Sequence, residues 1–377
     1  MPDQEQPIEF GEEPVEPGTT ALEQKYNKEM RQIVSQKIDL PISTLPEMIK
    51  EQIDLNPDFQ RRDRWDVDKQ SRFIESIIMN VPIPPVFLGE DQYGKYVVLD
   101  GRQRLTAIKD FLSNLFKLSG LKVWEDLNGQ NYNELQKKKL SAAITRRFVP
   151  AVVILKESSS QVKYDVFDRL NTGGVIAVPM EIRNAVFPGA FNKLIRTLAE
   201  LPEFRRVWDI PVDQGELEKN RLYRDMSDIE LVLRFFALSE YGQMDMKFKD
   251  YLGDFMDRRN KEYAQNQGLA AADTERFRRA VENCWTVFGA DAFRKAVGAK
   301  KSAPLADAVM VSLADYAPNV VAPKAANIRA AINTLLTGNA DNHKEFQKAF
   351  GTGTNGKGAI RTRIELAKEA VKVAIEQ

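Results

Sequence analysis

The chain has 377 residues, 43% of them hydrophobic, which is enough to build a packed core and long enough for two domains. Its 54 basic and 54 acidic residues cancel, so a protein that simply coats nucleic acid by bulk charge is excluded and any DNA contact must come from a local patch. One cysteine, Cys284, and one histidine, His343, exclude an internal disulfide, a four-ligand Cys/His zinc site and an HNH nuclease, which needs more than one histidine.

The first eighteen residues carry Asp3, Glu5, Glu9, Glu12, Glu13 and Glu16 but no lysine or arginine, and four prolines interrupt them; residues 1–19 read as a disordered acidic tail. Residues 20–36 read as a helix, KIDLPISTL as a short strand and turn, and LPEMIKEQI as a short helix. The irregular segment NPDFQRRDRWD follows. Residues 66–80 form an amphipathic helix with Asp66 as N-cap and Phe73, Ile74, Ile77 and Ile78 in one apolar stripe. VPIPPVFLGE leads into a strand, DQYG is a turn and KYVVLD a second strand. In GRQRLTAIKDFLSNLF, Leu105, Ile108, Leu112 and Leu115 recur at helical spacing. A polar helical insert over 131–141, a strand RFVPAVVILK, a helix over 159–170 and the loop NTGG come next. VPMEIRNAVF opens a helix with Pro179 in its first turn. Beyond residue 187 the pattern is almost wholly helical, and the last segment places Ile360, Ile364, Ala367 and Val371 on one face. The expected class is therefore α+β: an α/β domain over 20–187 followed by an α-helical domain over 188–377. Cys284, in the apolar stretch AVENCWTVF, reads as a core residue, and His343, in NADNHKEF, as a solvated loop residue. With no apolar run long enough to span a bilayer and no recognisable leader, a soluble, cytoplasmic protein without membrane contact is expected.

Four motifs could carry chemistry. In YVVLDGRQRLTAI a buried strand ends at Asp100 and a helix starts at once, so the positive helix end, the bare backbone of Gly101 and the charges of Arg102 and Arg104 suit a phosphate; Asp100 could cap the helix or hold a metal-bound water. A capped helix with two solvated arginines is the plain alternative. PDFQRRDRWD sets Arg61, Arg62 and Arg64 between Phe59 and Trp65, a phosphate-and-stacking composition suited to DNA, although Asp58, Asp63 and Asp66 could equally make it an ion-paired loop. FDRLNTGGV places Asn171 at a helix end beside Gly173 and Gly174, either to meet a ligand or as an ordinary C-cap. GTGTNGKG, residues 351–358, resembles a P-loop, but Gly358 stands where Ser or Thr must bind magnesium and a helix precedes it, so a helix–helix linker is expected. Pro57-Asp58 is superficially like the start of a PD-(D/E)xK nuclease site, without a matching strand downstream.

As an ordered set, PDFQRRDRW, IESIIMNVPIPPVFL, VLDGRQRLTAI and FDRLNTGGV with MEIRNAVF resemble the ParB/sulfiredoxin-like, DGQQR-motif family, domain of unknown function 262, found as the N-terminal half of GmrSD-type modification-dependent restriction enzymes. The resemblance runs over roughly residues 37–377 and is most specific between 57 and 187. It implies a ParB/sulfiredoxin-like fold with a nucleotide pocket at the start of the DGRQR helix. Asp100, Gly101, Gln103 and Arg104 match its signature, Arg61 the QR element, and Asn171, Gly173 and Gly174 the NTGG element. Arg102 stands where the family has glutamine. The implied function is a nucleoside-triphosphate-binding, NTP-hydrolysing component of phage defence using Mg²⁺. Asp100 and Arg104 would be catalytic, with Asp100 positioning magnesium through water. Arg61, Gly101, Arg102, Gln103, Asn171, Gly173 and Gly174 would hold the nucleotide, and Arg62 and Arg64 would contact DNA, including modified phage DNA. Cleavage by the HNH route is not expected of this chain alone; a separate nuclease or defence partner protein and a homodimer are both compatible with it. The alternative is a non-catalytic DNA-binding or adaptor module using the same phosphate pocket.

Overall fold

The computed structural model describes residues 33–55, 65–158, 160–170, 178–266, 268–338, 341–351 and 353–377. The acidic tail 1–19, most of the helix expected over 20–36, the arginines Arg61, Arg62 and Arg64, and the NTGG residues Asn171, Gly173 and Gly174 lie outside them.

Strands form where the sequence runs apolar or alternates. β1 (Ser35–Pro41), β2 (Ile53–Asp54), β3 (Val86–Gln92), β4 (Lys95–Asp100) and β5 (Phe148–Ile154) make a mixed sheet in the order β1-β5-β3-β4-β2. β1 and β5 are antiparallel from Ser35 opposite Ile154 to Pro41 opposite Phe148, while β3 runs parallel to β5 from Val86 beside Ala151. β3 and β4 form a hairpin whose tight turn places Gly94 at φ +70°, a left-handed conformation that glycine adopts at little cost. Alternation along the strands serves two cores: Val98 and Val153 enter one, Leu99 and Ile154 the other.

The first core lies under α1 (Leu45–Glu51), α2 (Val67–Ile78) and α3 (Arg102–Leu112). Asp66 caps α2 by accepting the Lys69 amide at 2.7 Å, as its position implied. In α3, Leu105, Ile108 and Phe111 are fully buried, each worth about 1.5–3 kcal/mol of transfer free energy. Leu115 is a correction: α3 stops at Leu112, Asn114 turns left-handed at φ +59°, and Leu115 is 68% exposed.

The second core belongs to the helices: α4 (Ser160–Leu170), α5 (Pro179–Val186), α6 (Ala190–Ala199), α7 (Ser227–Ser239), α8 (Phe248–Gln265), α9 (Leu269–Phe288), α10 (Ala303–Leu313), α11 (Ala325–Thr337), α12 (Asp341–Lys348) and α13 (Lys357–Glu376). Pro179 takes the first helical position of α5. Ile360, Ile364, Ala367 and Val371 are all buried on α13, as their spacing required. Val34–Gln377 form one compact unit. The α+β expectation therefore holds, with a mixed sheet at the N-terminal end and helices after it.

Two single residues resolve differently. Cys284 is fully buried, and burial pushes its thiol well above the ordinary range, so it is the inert core residue expected. His343 is not a solvated loop residue: it lies on α12, 7% exposed, with Nδ1 2.7 Å from the Leu335 carbonyl of α11. The polar run misled because α12 has one narrow buried stripe, on which His343 and Phe346 are three residues apart. GTGTNGKG joins α12 to α13 with no strand before it, so the P-loop context is absent, as expected.

Candidate functional site

β4 delivers Asp100 to its carboxyl end, and the chain turns directly into α3 at Gly101. Gly101 adopts φ +94°, and a Cβ there would lie 2.4 Å from Val86 Cγ1. Only glycine satisfies both the backbone angle and the approach of β3. The first intrahelical hydrogen bond of α3 closes from the Leu105 amide to the Gly101 carbonyl, so the positive helix end points out beside Asp100, and the first turn has no acidic residue to neutralise it.

Asp100 does not cap α3. Its Oδ2 accepts Arg104 Nη2 at 2.6 Å, an i,i+4 ion pair in which the arginine side chain is 14% and the aspartate 41% exposed. Arg104 Nη1 donates to the Pro84 carbonyl and, at 3.3 Å, to that of Pro85. Arg104 is thus engaged on three sides, fixing the Asp100 carboxylate and the VPIPP segment together. Gln103 Oε1 accepts the Trp65 amide at 3.2 Å, tying the end of the arginine-rich segment to the DGRQR turn. Trp65 packs edge-on to Phe73 at 5.7 Å, with the Lys69 ammonium 5.2 Å from its ring. Arg102, half-buried, opens α3.

Helices α4 and α5, which bracket the NTGG segment, both pack on β4, the strand that ends at Asp100. Two of the four sequence motifs therefore meet at the β4–α3 junction through described residues, Trp65 of the first and Asp100 to Arg104 of the second, while the helices flanking the third pack on β4. Sequence reasoning missed the Pro84 and Pro85 carbonyls and Val86; VPIPPVF, next to a strand, was the signal available.

Among the described residues no group of three or more His, Cys, Asp or Glu side chains could hold a metal. The turn offers a single carboxylate. That donor set does not make a metal cage, but it fits Mg²⁺ carried in by phosphates, since this ion keeps most of its waters and needs one or two protein carboxylates. No described helix is long and apolar enough to cross a membrane.

Residues 42–188 match the family model described as the GmrSD restriction endonuclease, N-terminal domain. No curated protein and no solved structure matches the chain.

Proposed function

We propose, from the membership of residues 42–188 in the GmrSD N-terminal-domain family, that this chain is the nucleotide-binding and NTP-hydrolysing component of a modification-dependent restriction system. The observation that carries the reading is the Asp100–Arg104 ion pair held over the positive end of α3 at a turn that only glycine can make. The nucleotide phosphates would sit at that helix end, with Arg61 and Arg102 supplying charge and Asn171, Gly173 and Gly174 as further nucleotide-binding residues. Arg104 fixes the Asp100 carboxylate, and Asp100 positions the attacking water or the magnesium's water shell. Magnesium, when bound, neutralises charge on the phosphates. Arg62 and Arg64 would lie along DNA. The single histidine, buried against the Leu335 carbonyl, supports assigning DNA cleavage to a separate nuclease partner.

The test is phosphate release from each of the four NTPs with Mg²⁺, with and without DNA. Asp100→Asn, which keeps shape but loses charge, should lower kcat by about 100-fold while nucleotide binding persists. Turnover unchanged by Asp100→Asn would remove the catalytic assignment. One observation favours a second reading, a non-catalytic DNA-binding adaptor: the Arg104 guanidinium is already engaged by Asp100 and two carbonyls. That reading predicts no turnover with any nucleotide, and DNA affinity that falls steeply as salt rises.

A further inference from the structure

Far from the DGRQR motif in sequence, a cavity of about 810 Å³ opens in the helical part of the molecule, and no residue of its wall belongs to that turn. Its size lies within the range of about 300–1,000 Å³ usual for small-ligand sites. The starts of three helices meet on it: Pro179 of α5, Lys247 and Phe248 of α8, and Gly356 and Lys357 of α13. None of the three has a side-chain N-cap. On α13, 20 residues long, the first intrahelical bond comes from the Ile360 amide, and no acidic residue lies in the first turn. Glu181 and Asp250 stand in the first turns of α5 and α8, so the uncapped start of α13 is the end that most favours an anion beside this space.

The side chains agree. Arg183, Lys247, Lys249 and Lys357 line the cavity against two carboxylates, Glu230 and Asp245, in a chain of zero net charge. Lys247 and Lys357 are exposed and form no ion pair among the described residues, and Lys249 reaches towards the Tyr164 ring at 5.6 Å. Arg183 is 2% exposed; Nη1 holds Glu230 at 2.9 Å and Nη2 the Lys249 carbonyl at 3.3 Å, while Nε has no hydrogen-bond partner among the described residues.

Behind the wall lies more positive charge than negative. Asp307 of α10 accepts Arg234 of α7 through both oxygens, at 3.0 and 2.5 Å, and also Arg363 of α13 at 2.7 Å, so two buried guanidinium groups share one carboxylate. Burial lowers the Arg363 pKa, and Asp307 offsets this only in part; burial acts on Arg234 too, but there Asp307 together with Glu230 outweighs it. Both arginines touch the cavity wall at one remove. Arg234 stacks 4.6 Å from the Phe248 ring, and Arg363 Nη1 holds the Thr354 carbonyl beside Asn355.

We propose that this cavity binds a small phosphate-bearing anion, of the class of inorganic triphosphate and free nucleoside triphosphates, between the starts of α8 and α13. Asn355, Gly356 and Lys357 of the GTGTNGKG segment take part as one wall of this cavity, not as a P-loop. The proposal does not depend on the DGRQR turn being a nucleotide site.

The test is calorimetric titration of the full chain with sodium triphosphate at low salt, comparing the wild type, the double variant Lys247→Glu/Lys357→Glu and Asp100→Asn. Both lysines are exposed, so the double variant should fold, which an unchanged melting midpoint would verify. The wild type and Asp100→Asn should show a triphosphate-binding step that the double variant keeps only at least about tenfold more weakly, while any binding at the α3 start stays alike in all three. Absence of triphosphate binding by the wild type, equal binding by the double variant, or binding lost only in Asp100→Asn would overturn it. So would an oligonucleotide affinity that depends on Lys247 and Lys357 in a protein that ignores triphosphate.

Discussion

Asp307→Ala is expected to lower the unfolding free energy by about 3–5 kcal/mol, because it removes the one carboxylate that two buried arginines share. Asp307 is 4% exposed, Arg234 6% and Arg363 0%, so bulk solvent screens the lost partner little. Arg363→Met is expected to cost less, since it leaves a one-to-one Arg234–Asp307 pair with both oxygens still occupied. Denaturant midpoints measured on the two variants decide the matter. A loss below about 1 kcal/mol for Asp307→Ala would mean that the triad is open to water after all.

Gly101→Ala is expected to destabilise the protein by about 2–4 kcal/mol, combining a left-handed backbone that alanine resists with overpacking against β3. The added methyl would meet Val86 Cγ1 at 2.4 Å and Arg104 Nη2 at 3.1 Å, so the same change also disturbs the guanidinium that holds Asp100. Val86→Ala in the same chain should recover part of the loss, because it removes Cγ1, but neither the part owed to φ +94° nor the 2.8 Å approach to Val86 Cβ, which alanine keeps. Thermal melts of the single and double variants measure the share that Val86 Cγ1 carries. Full recovery in the double variant would show that backbone strain contributes nothing.

Much of this fold was legible in the sequence because its elements follow their own periodicities. α13 reads from Ile360 to Val371, β4 from Lys95 to Asp100, and the start of α2 from the cap at Asp66. What escaped depended on distant partners. β2 is two residues long and exists through its pairing of Ile53 with Tyr96, for which no local signal stands in the sequence. Leu115 continued a helical spacing that the left-handed Asn114 ends. His343 sat in a polar run whose buried stripe appears only once α12 lies on α11. The DGRQR turn announced itself as a strand-to-helix junction. That Arg104 would be engaged by Asp100 and the Pro84 and Pro85 carbonyls did not, since the latter partners lie 20 and 19 residues back. The cationic cavity was less legible still: its wall residues Arg183 and Glu230 are 47 residues apart, and Arg183 and Lys249 66.

The central claim is that nucleoside triphosphate binds at the start of α3, and amide hydrogen exchange locates it most directly. Exchange should be followed with and without a non-hydrolysable nucleoside triphosphate and Mg²⁺, in wild type and in Lys247→Glu/Lys357→Glu. The account predicts that nucleotide slows exchange in the peptide spanning residues 96–108, and does so in both proteins. Unchanged exchange across 96–108 at saturating nucleotide would contradict it.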